Sequence, residues 1–296
     1  MSWLDSFPQI STSSLQSMRS ALDSSFFEFS AKHGESIEHF FDPLLTFLIL
    51  TEKAMTQTPW FVMLSILTFI SWCISRRVLL TFLSLLLFTF IGLFGLWEDT
   101  MKTLSIILVA TFICVLIGIP IGTLMHGSRI FEKILSPILD IMQTIPTFVY
   151  LIPIIMLLGI GKVPGLIAVC VYAVPPIIRL TNLGLKQISK GFVEAGMALG
   201  LSRLKVLWFV KYPLAVKSIT TGINQTIMMS LSMVVIASMI GVAGLGANIL
   251  KAISNQYLTM GLLNGVAIVI IAIVLDRLFQ SYTKRQVNNH VAPSSR

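Results

Sequence analysis

Few side chains in this sequence can do chemistry, and their surroundings limit what that chemistry can be. Gln143, Thr144, Thr147 and Tyr150 cluster around Pro146, and Asn224, Gln225 and Ser230 follow further along, each group inside an otherwise apolar run. Amides and hydroxyls exchange hydrogen bonds but offer neither a strong base nor an activated nucleophile. Inside hydrocarbon such groups face a bundle interior or a wet cavity. They therefore read as the lining of a solute path or, equally, as interhelical hydrogen bonds that hold a bundle together. His33, His39, His126 and His290 share no spacing, and Cys73, Cys114 and Cys170 lie in apolar runs as small core hydrophobes. Neither a metal site nor a catalytic residue is expected. Gly161-Lys162-Val163 lacks the upstream Gly and the following Ser or Thr of a phosphate loop, so ATP is not expected to bind this chain.

A different chemistry, that of docking, belongs to the stretch EAGMALGLSRLKVLWFVKYP at 194–213. Val193, Met197 and Leu201 form an apolar stripe at i, i+4 and i+8, while Ala195, Gly196 and Gly200 leave little side-chain bulk. Gly200 suits a helix C-terminus, Ser202 can cap the next helix, and Pro213 lies where that second helix must stop or bend. The pattern predicts two short helices around a turn. Their stripe needs a cover: either a partner or the chain's own membrane segments.

The elements that must position these residues are membrane helices. Of 296 residues 55% are hydrophobic and 11% charged, and the mean hydropathy is +0.87, outside the range of soluble globular chains. Apolar runs of spanning length recur at about 59–75, 78–97, 103–125, 135–161, 163–180, 218–245 and 259–278. The fold class is an all-α integral membrane protein with about seven transmembrane helices. With the N-terminus outside, fifteen Lys and Arg fall in the cytoplasm against six outside, the bias that fixes orientation. The net charge of +8 is then an asymmetry, about +11 inside and −3 outside, and no nucleic-acid partner is expected. Four regions follow: an N-terminal tail at 1–57, a peripheral helix pair at 58–97, a core at 98–281 containing a cytoplasmic loop at 181–217, and a cytoplasmic tail at 282–296. Residues 1–30 are polar and Ser-rich with no signal-peptide core. At 37–48 an i, i+3, i+4 apolar face reads as an interfacial helix on the outer leaflet, or alternatively as one leg of a membrane-buried hairpin.

Glu194-Ala195, with Gly200 six residues on and Pro213 nineteen on, resembles the EAA signature of bacterial ATP-binding-cassette importer permeases. That signature runs Glu-Ala-Ala, three residues, Gly, nine residues, Ile-x-Leu-Pro; here Gly196, Val210 and Tyr212 replace Ala, Ile and Leu. Over about 103–280, the segments SPILDIMQTIPTFVYLIPIIMLLGIGKVPG, YAVPPIIRLTNLG and NQTIMMSLSMVVIASMIGVAGLG look like those of the glycine betaine/proline betaine permeases. The resemblance implies a five-helix type I importer core in the bacterial inner membrane. It also implies a coupling helix that docks into a separate ATPase, with Glu194 orienting the partner and Ala195, Gly196 and Gly200 allowing close approach beside Met197, Leu201 and Pro213. The implied assembly holds a second permease copy, two ATPases carrying ATP and Mg, and an extracytoplasmic betaine-binding protein, all around a bilayer of lipid. Choline, carnitine or another quaternary amine is the alternative substrate. An ion-coupled carrier is the rival class, although such carriers normally bury acids in mid-span.

Overall fold

A computed structural model describes residues 10–291; the first nine residues of the expected tail and the last five of the C-terminal tail lie outside the described residues. No strand occurs among the described residues. Helix α1 (Thr12–Gln57) starts at Ser11, whose hydroxyl accepts the Ser14 N–H, and runs far beyond the expected apolar face. Pro59 then turns the chain, and α2 (Trp60–Ser75) leaves at 110° to the 39–57 part of α1. Arg76, at φ +50, makes the tight turn into α3 (Val78–Leu93), which the Ser84 hydroxyl joins to Ser71 of α2 at 2.9 Å.

The next helices are α4 (Trp97–Gly127), α5 (Arg129–Thr144), α6 (Thr147–Leu158) and α7 (Lys162–Lys186). They are followed by α8 (Lys190–Ala198), α9 (Arg203–Val206), α10 (Tyr212–Ala237), α11 (Leu245–Asn255) and α12 (Leu258–Val291). Four continuous helical stretches are long and apolar enough to cross a membrane: Trp97–Gly127, Lys162–Lys186, Arg203–Ile240 and Leu258–Arg285. The α1–α2 and α5–α6 pairs pass the same test as bent units, and α3 is a shorter apolar helix. Each expected span falls on one of these seven segments.

The 135–161 run breaks because Pro146 keeps the residue before it out of the helical region. Ile145 is extended, at φ −63 and ψ 131, and α5 and α6 part at 99°. Backbone groups freed by a break inside a bilayer must find partners in the protein. Tyr150 OH donates to the Met142 carbonyl, which Pro146 leaves without an N–H partner, while the Ile141 carbonyl keeps the Ile145 N–H at 3.0 Å and also accepts Thr144 Oγ1 at 3.1 Å.

Helix α7 sits between α4 and α10: Leu166 and Val169 are buried with Ile107, Met233 and Val234, and Ile177 with Cys114, Ala215 and Ile219. Lipid supplies no hydrophobic driving force between helices, so small residues that let backbones approach decide the packing. A Cβ at Gly122 would lie 2.6 Å from the Ile178 carbonyl oxygen and 2.7 Å from Thr181 Cβ. Only glycine fits there. The end of the bundle away from α8 is closed by polar bonds: Thr103 Oγ1 accepts the Leu245 N–H at 3.0 Å, and Asn248 donates to Asp99 at 2.7 Å.

Helix α1 is packed on the core from Ser30 onward. Leu48 is fully buried, Ser30 Oγ donates to the Met156 carbonyl at 2.9 Å, and Glu52 pairs with Lys162 at 2.7 Å. Of the cysteines, Cys114 is buried and Cys170 half-buried, but Cys73 faces outward from α2 and is no core residue.

Candidate functional site

Segment 190–213 is a helix pair. Helix α8 ends at Leu199, and Gly200 takes φ +80, the left-handed conformation that glycine enters without a Cβ penalty. The Leu201 N–H reaches back to the Gly196 carbonyl at 3.1 Å and the Gly200 N–H to that of Met197 at 2.9 Å. This double bond pattern closes a helix and satisfies its last carbonyls. Ser202 then accepts the Lys205 N–H at 3.4 Å and starts α9. Both signals were legible as types at fixed positions.

Of the two outcomes expected at Pro213, a stop or a bend, the stop does not occur. The helical path continues from Arg203 to Ile240, and the turn just before the proline, Leu207–Lys211, widens into a π-helix. Proline cannot bond the carbonyl four residues back and its ring crowds that oxygen; a widened turn moves the oxygen aside. The Tyr212 N–H bonds five residues back, to Leu207.

The helix pair divides its residues between two faces. Gly196 is buried: a Cβ there would meet Val210 at 3.3 Å and Val206 at 3.4 Å, so its smallness serves the contact between α8 and the outgoing arm. Val193 and Leu201 are half-buried, while Glu194, Ala195, Met197 and Gly200 are exposed. Sequence reasoning missed Phe192 and Leu199, 57% and 83% exposed, which with Ala195 form a second apolar row on the outside of α8. The signal was their own i, i+3, i+7 spacing.

Both ends of the pair are tied to other helices. Lys186, at the end of α7, forms an ion pair with Glu132 of α5, and Asn182 donates to the same carboxylate at 3.1 Å. On the outgoing side Lys211 Nζ donates to His126 Nε2 at 2.8 Å, and the Tyr212 hydroxyl bonds Thr123 at 2.7 Å, both on α4. Tyr212 thus has a reason to be a phenol. Any displacement of the pair acts on α4 and α5 through these bonds.

The polar residues inside the apolar runs are spread out. Thr144 and Tyr150 brace the α5–α6 break, Thr147 is half-buried at the start of α6, and Gln143 is exposed beside the break. On α10 Asn224 points to α12 and donates to Asp276 at 2.9 Å, Gln225 is exposed, and Ser230 is fully buried. The hydroxyls of Ser230 and Thr226 have no hydrogen-bond partner among the described residues. No hydrogen bond among the described residues joins the α10 group to the break.

A bundle of continuous and broken apolar helices with one apolar-faced helix pair beyond its end is the architecture of a multi-pass membrane protein. Residues 114–287 match the family described as "Binding-protein-dependent transport system inner membrane component", and the chain belongs to that family. It is 45% identical over 206 residues to the glycine betaine/carnitine transport permease protein GbuB of Listeria monocytogenes, covering 68% of this chain and 73% of that one. It is 48% identical over 191 residues to the glycine betaine/proline betaine transport system permease protein ProW of Escherichia coli, covering 64% of this chain. The chain spans only 54% of ProW. Among solved structures, an inward-facing conformation of the MetNI methionine ABC transporter aligns with a TM-score of 0.58 at 21% identity, over 66% of this chain and 97% of that one. The fold is therefore that of a type I ABC importer permease, in a multi-pass inner membrane protein.

Proposed function

We propose that the chain is the transmembrane subunit of an ATP-driven importer of glycine betaine and proline betaine, working by alternating access. ATP and Mg bind a separate ATPase, which docks on the outer row of α8 formed by Phe192, Ala195 and Leu199 together with Glu194, Met197 and Gly200. Two ATPases, a second copy of this chain and an extracytoplasmic betaine-binding protein complete the assembly. The N-terminus lies outside and segment 181–217 lies in the cytoplasm, where the positive-inside bias puts the basic residues. The observation that carries this reading is the bracing of the helix pair at both ends, by Glu132 on α5 and by Thr123 and His126 on α4. A push from outside the membrane then becomes a rotation of the spans rather than the bending of a loop.

The substrate class is supported by the names of GbuB and ProW, both of which include glycine betaine. Carnitine stands beside glycine betaine in the name of GbuB, and a choline permease of Bacillus subtilis is 33% identical over 60% of this chain, so these amines are the second reading. In this mechanism the path holds substrate weakly, past Gln143 and Thr147 at the α5–α6 break, because release must follow. Uptake of labelled glycine betaine into proteoliposomes holding the permease, its ATPase and its binding protein tests the proposal. Uptake should require ATP inside and survive a protonophore. Uptake that persists without ATP, or collapses with the ion gradients, would overturn it.

A further inference from the structure

The two bonds that hold the outgoing arm of the helix pair to α4 differ in chemistry. Lys211 and Tyr212 are neighbours on the arm, and their partners His126 and Thr123 lie three residues apart, on one face of α4. The Tyr212–Thr123 bond joins two hydroxyls that keep their protons throughout the physiological range. The Lys211–His126 bond depends on pH. An ammonium has donors and no acceptor, so the imidazole must offer it a lone pair at Nε2. His126 is therefore neutral here, with its proton on Nδ1, and that nitrogen is buried with no hydrogen-bond partner among the described residues.

Histidine is the side chain whose charge ordinarily changes between about pH 5 and 8. The charged groups that act on His126 are Lys211 from the arm, Lys186 from α7 and Glu132 from α5; Tyr212, at the start of α10, is turned to Thr123. Two cations thus face one acid, and that acid is already bonded by Lys186 and by Asn182 at 3.1 Å. A proton on Nε2 removes the acceptor from Lys211 and sets two positive charges where a hydrogen bond of 2.8 Å stood. An imidazolium that turned to Glu132 instead would compete with Lys186, which ties the incoming end of the pair. Either way the segment loses a tie.

We propose that His126 is a cytoplasmic proton sensor that loosens the docking segment when the cytoplasm turns acid, uncoupling ATP hydrolysis from the spans. The proposal rests on segment 190–213 being the ATPase-docking element on the cytoplasmic side. His126 is half-buried in the last turn of α4, and the exposed Gly127 and Ser128 follow it, so protons reach it from that side. The tied state needs the neutral ring, so it is complete above the histidine range and is lost as pH falls through it. Lys211 closes the widened turn Leu207–Lys211, and what protonation frees is the start of the helical path that runs on to Ile240.

Two measurements test the sensor separately from docking. In the purified full chain without ATPase, hydrogen exchange over 207–213, divided by the intrinsic rate at each pH, reads the arm. Between about pH 7.5 and pH 5.5 carboxylates and ammonium groups keep their charge, and wild-type exchange should rise about fivefold or more. His126→Gln, whose amide keeps an acceptor for Lys211 but takes no proton, should show no such rise. Lys211→Met, which has no donor at any pH, should show the raised exchange already at the higher pH, and provides the test if His126→Gln does not fold. In the reconstituted complex, the ratio of stimulated ATP hydrolysis at the lower pH to that at the higher should be about fivefold smaller for wild type than for His126→Gln, a comparison that cancels the pH dependence of the ATPase itself. Wild-type exchange that ignores pH, an equal rise in His126→Gln, or equal hydrolysis ratios would each overturn the proposal. Failure of docking shows differently, as hydrolysis that the permease does not stimulate at either pH.

Discussion

Substitutions at Gly200 separate backbone strain from docking. The φ of +80 penalises any residue with a Cβ, yet a Cβ built there meets no atom within 4 Å. Within this chain the cost of Gly200→Ala is therefore conformational alone, about 1–2 kcal/mol, which shifts the turn's equilibrium by a factor of roughly 5–30. Asn tolerates the left-handed region, so Gly200→Asn should cost less than Ala. Gly200→Trp should carry the same strain as Ala, because the surrounding space is open. If an ATPase packs against this surface, Trp adds an overpacking cost of about 1–3 kcal/mol at the interface. Hydrogen exchange at the Leu201 amide, bonded to Gly196 at 3.1 Å, reads the strain; stimulated ATP hydrolysis and uptake in the reconstituted complex read the docking. Protection should fall in the order Gly, Asn, Ala, with Trp equal to Ala, while uptake should be far lower for Trp than for Ala. Equal uptake for Trp and Ala would refute docking at this surface, and unchanged Leu201 protection in Gly200→Ala would refute the strain.

Other outcomes follow from the same structure. With Cys73, Cys114 and Cys170 replaced, a cysteine at Ser13 should label with an impermeant reagent from outside and one at exposed Arg285 only after permeabilisation; the reverse pattern would invert the topology. Gly122→Ala places a Cβ 2.6 Å from the Ile178 carbonyl and should destabilise the α4–α7 contact by about 1–3 kcal/mol, seen as a lower unfolding temperature in detergent; an unchanged temperature would mean that these helices part easily. Asn224→Leu removes a donor to Asp276 and should cost about 1–3 kcal/mol, lowering stability and uptake together. Gln143 is exposed and makes no hydrogen bond among the described residues, so Gln143→Leu should change stability by less than about 0.5 kcal/mol and lower uptake alone; unchanged uptake would remove Gln143 from the path.

The parts legible in the sequence were those that depend on one residue type at one place. Gly200 and Ser202 announce the turn because positive φ and an N-terminal cap each select a narrow set of residues, and the apolar runs announce the spans because hydrocarbon thickness sets their length. Pro213 was legible as a perturbation but not as a π turn, since a proline can be accommodated by ending a helix or by widening one. The inward use of Gly196 was hidden because a small residue permits close approach without saying to what; Val206 and Val210 answer only once the arm is folded back. Asn224 was equally ambiguous as lining or as a strut, and its Asp276 partner lies 52 residues away on another helix. The α1 contacts through Leu48 and Glu52 were out of reach for the same reason, because Lys162 is 110 residues distant.

Site-specific crosslinking tests the coupling role of the α8 helix pair most directly. In a cysteine-free complex of this chain with its ATPase, a cysteine at Met197, 49% exposed on α8, should form a crosslink to the ATPase whose yield changes between the nucleotide-free and ATP-trapped states. A cysteine at Tyr257, 56% exposed in the turn between α11 and α12 at the opposite end, should form none. A crosslink from Tyr257 with none from Met197 would place the ATPase at the wrong end of the bundle and contradict the account.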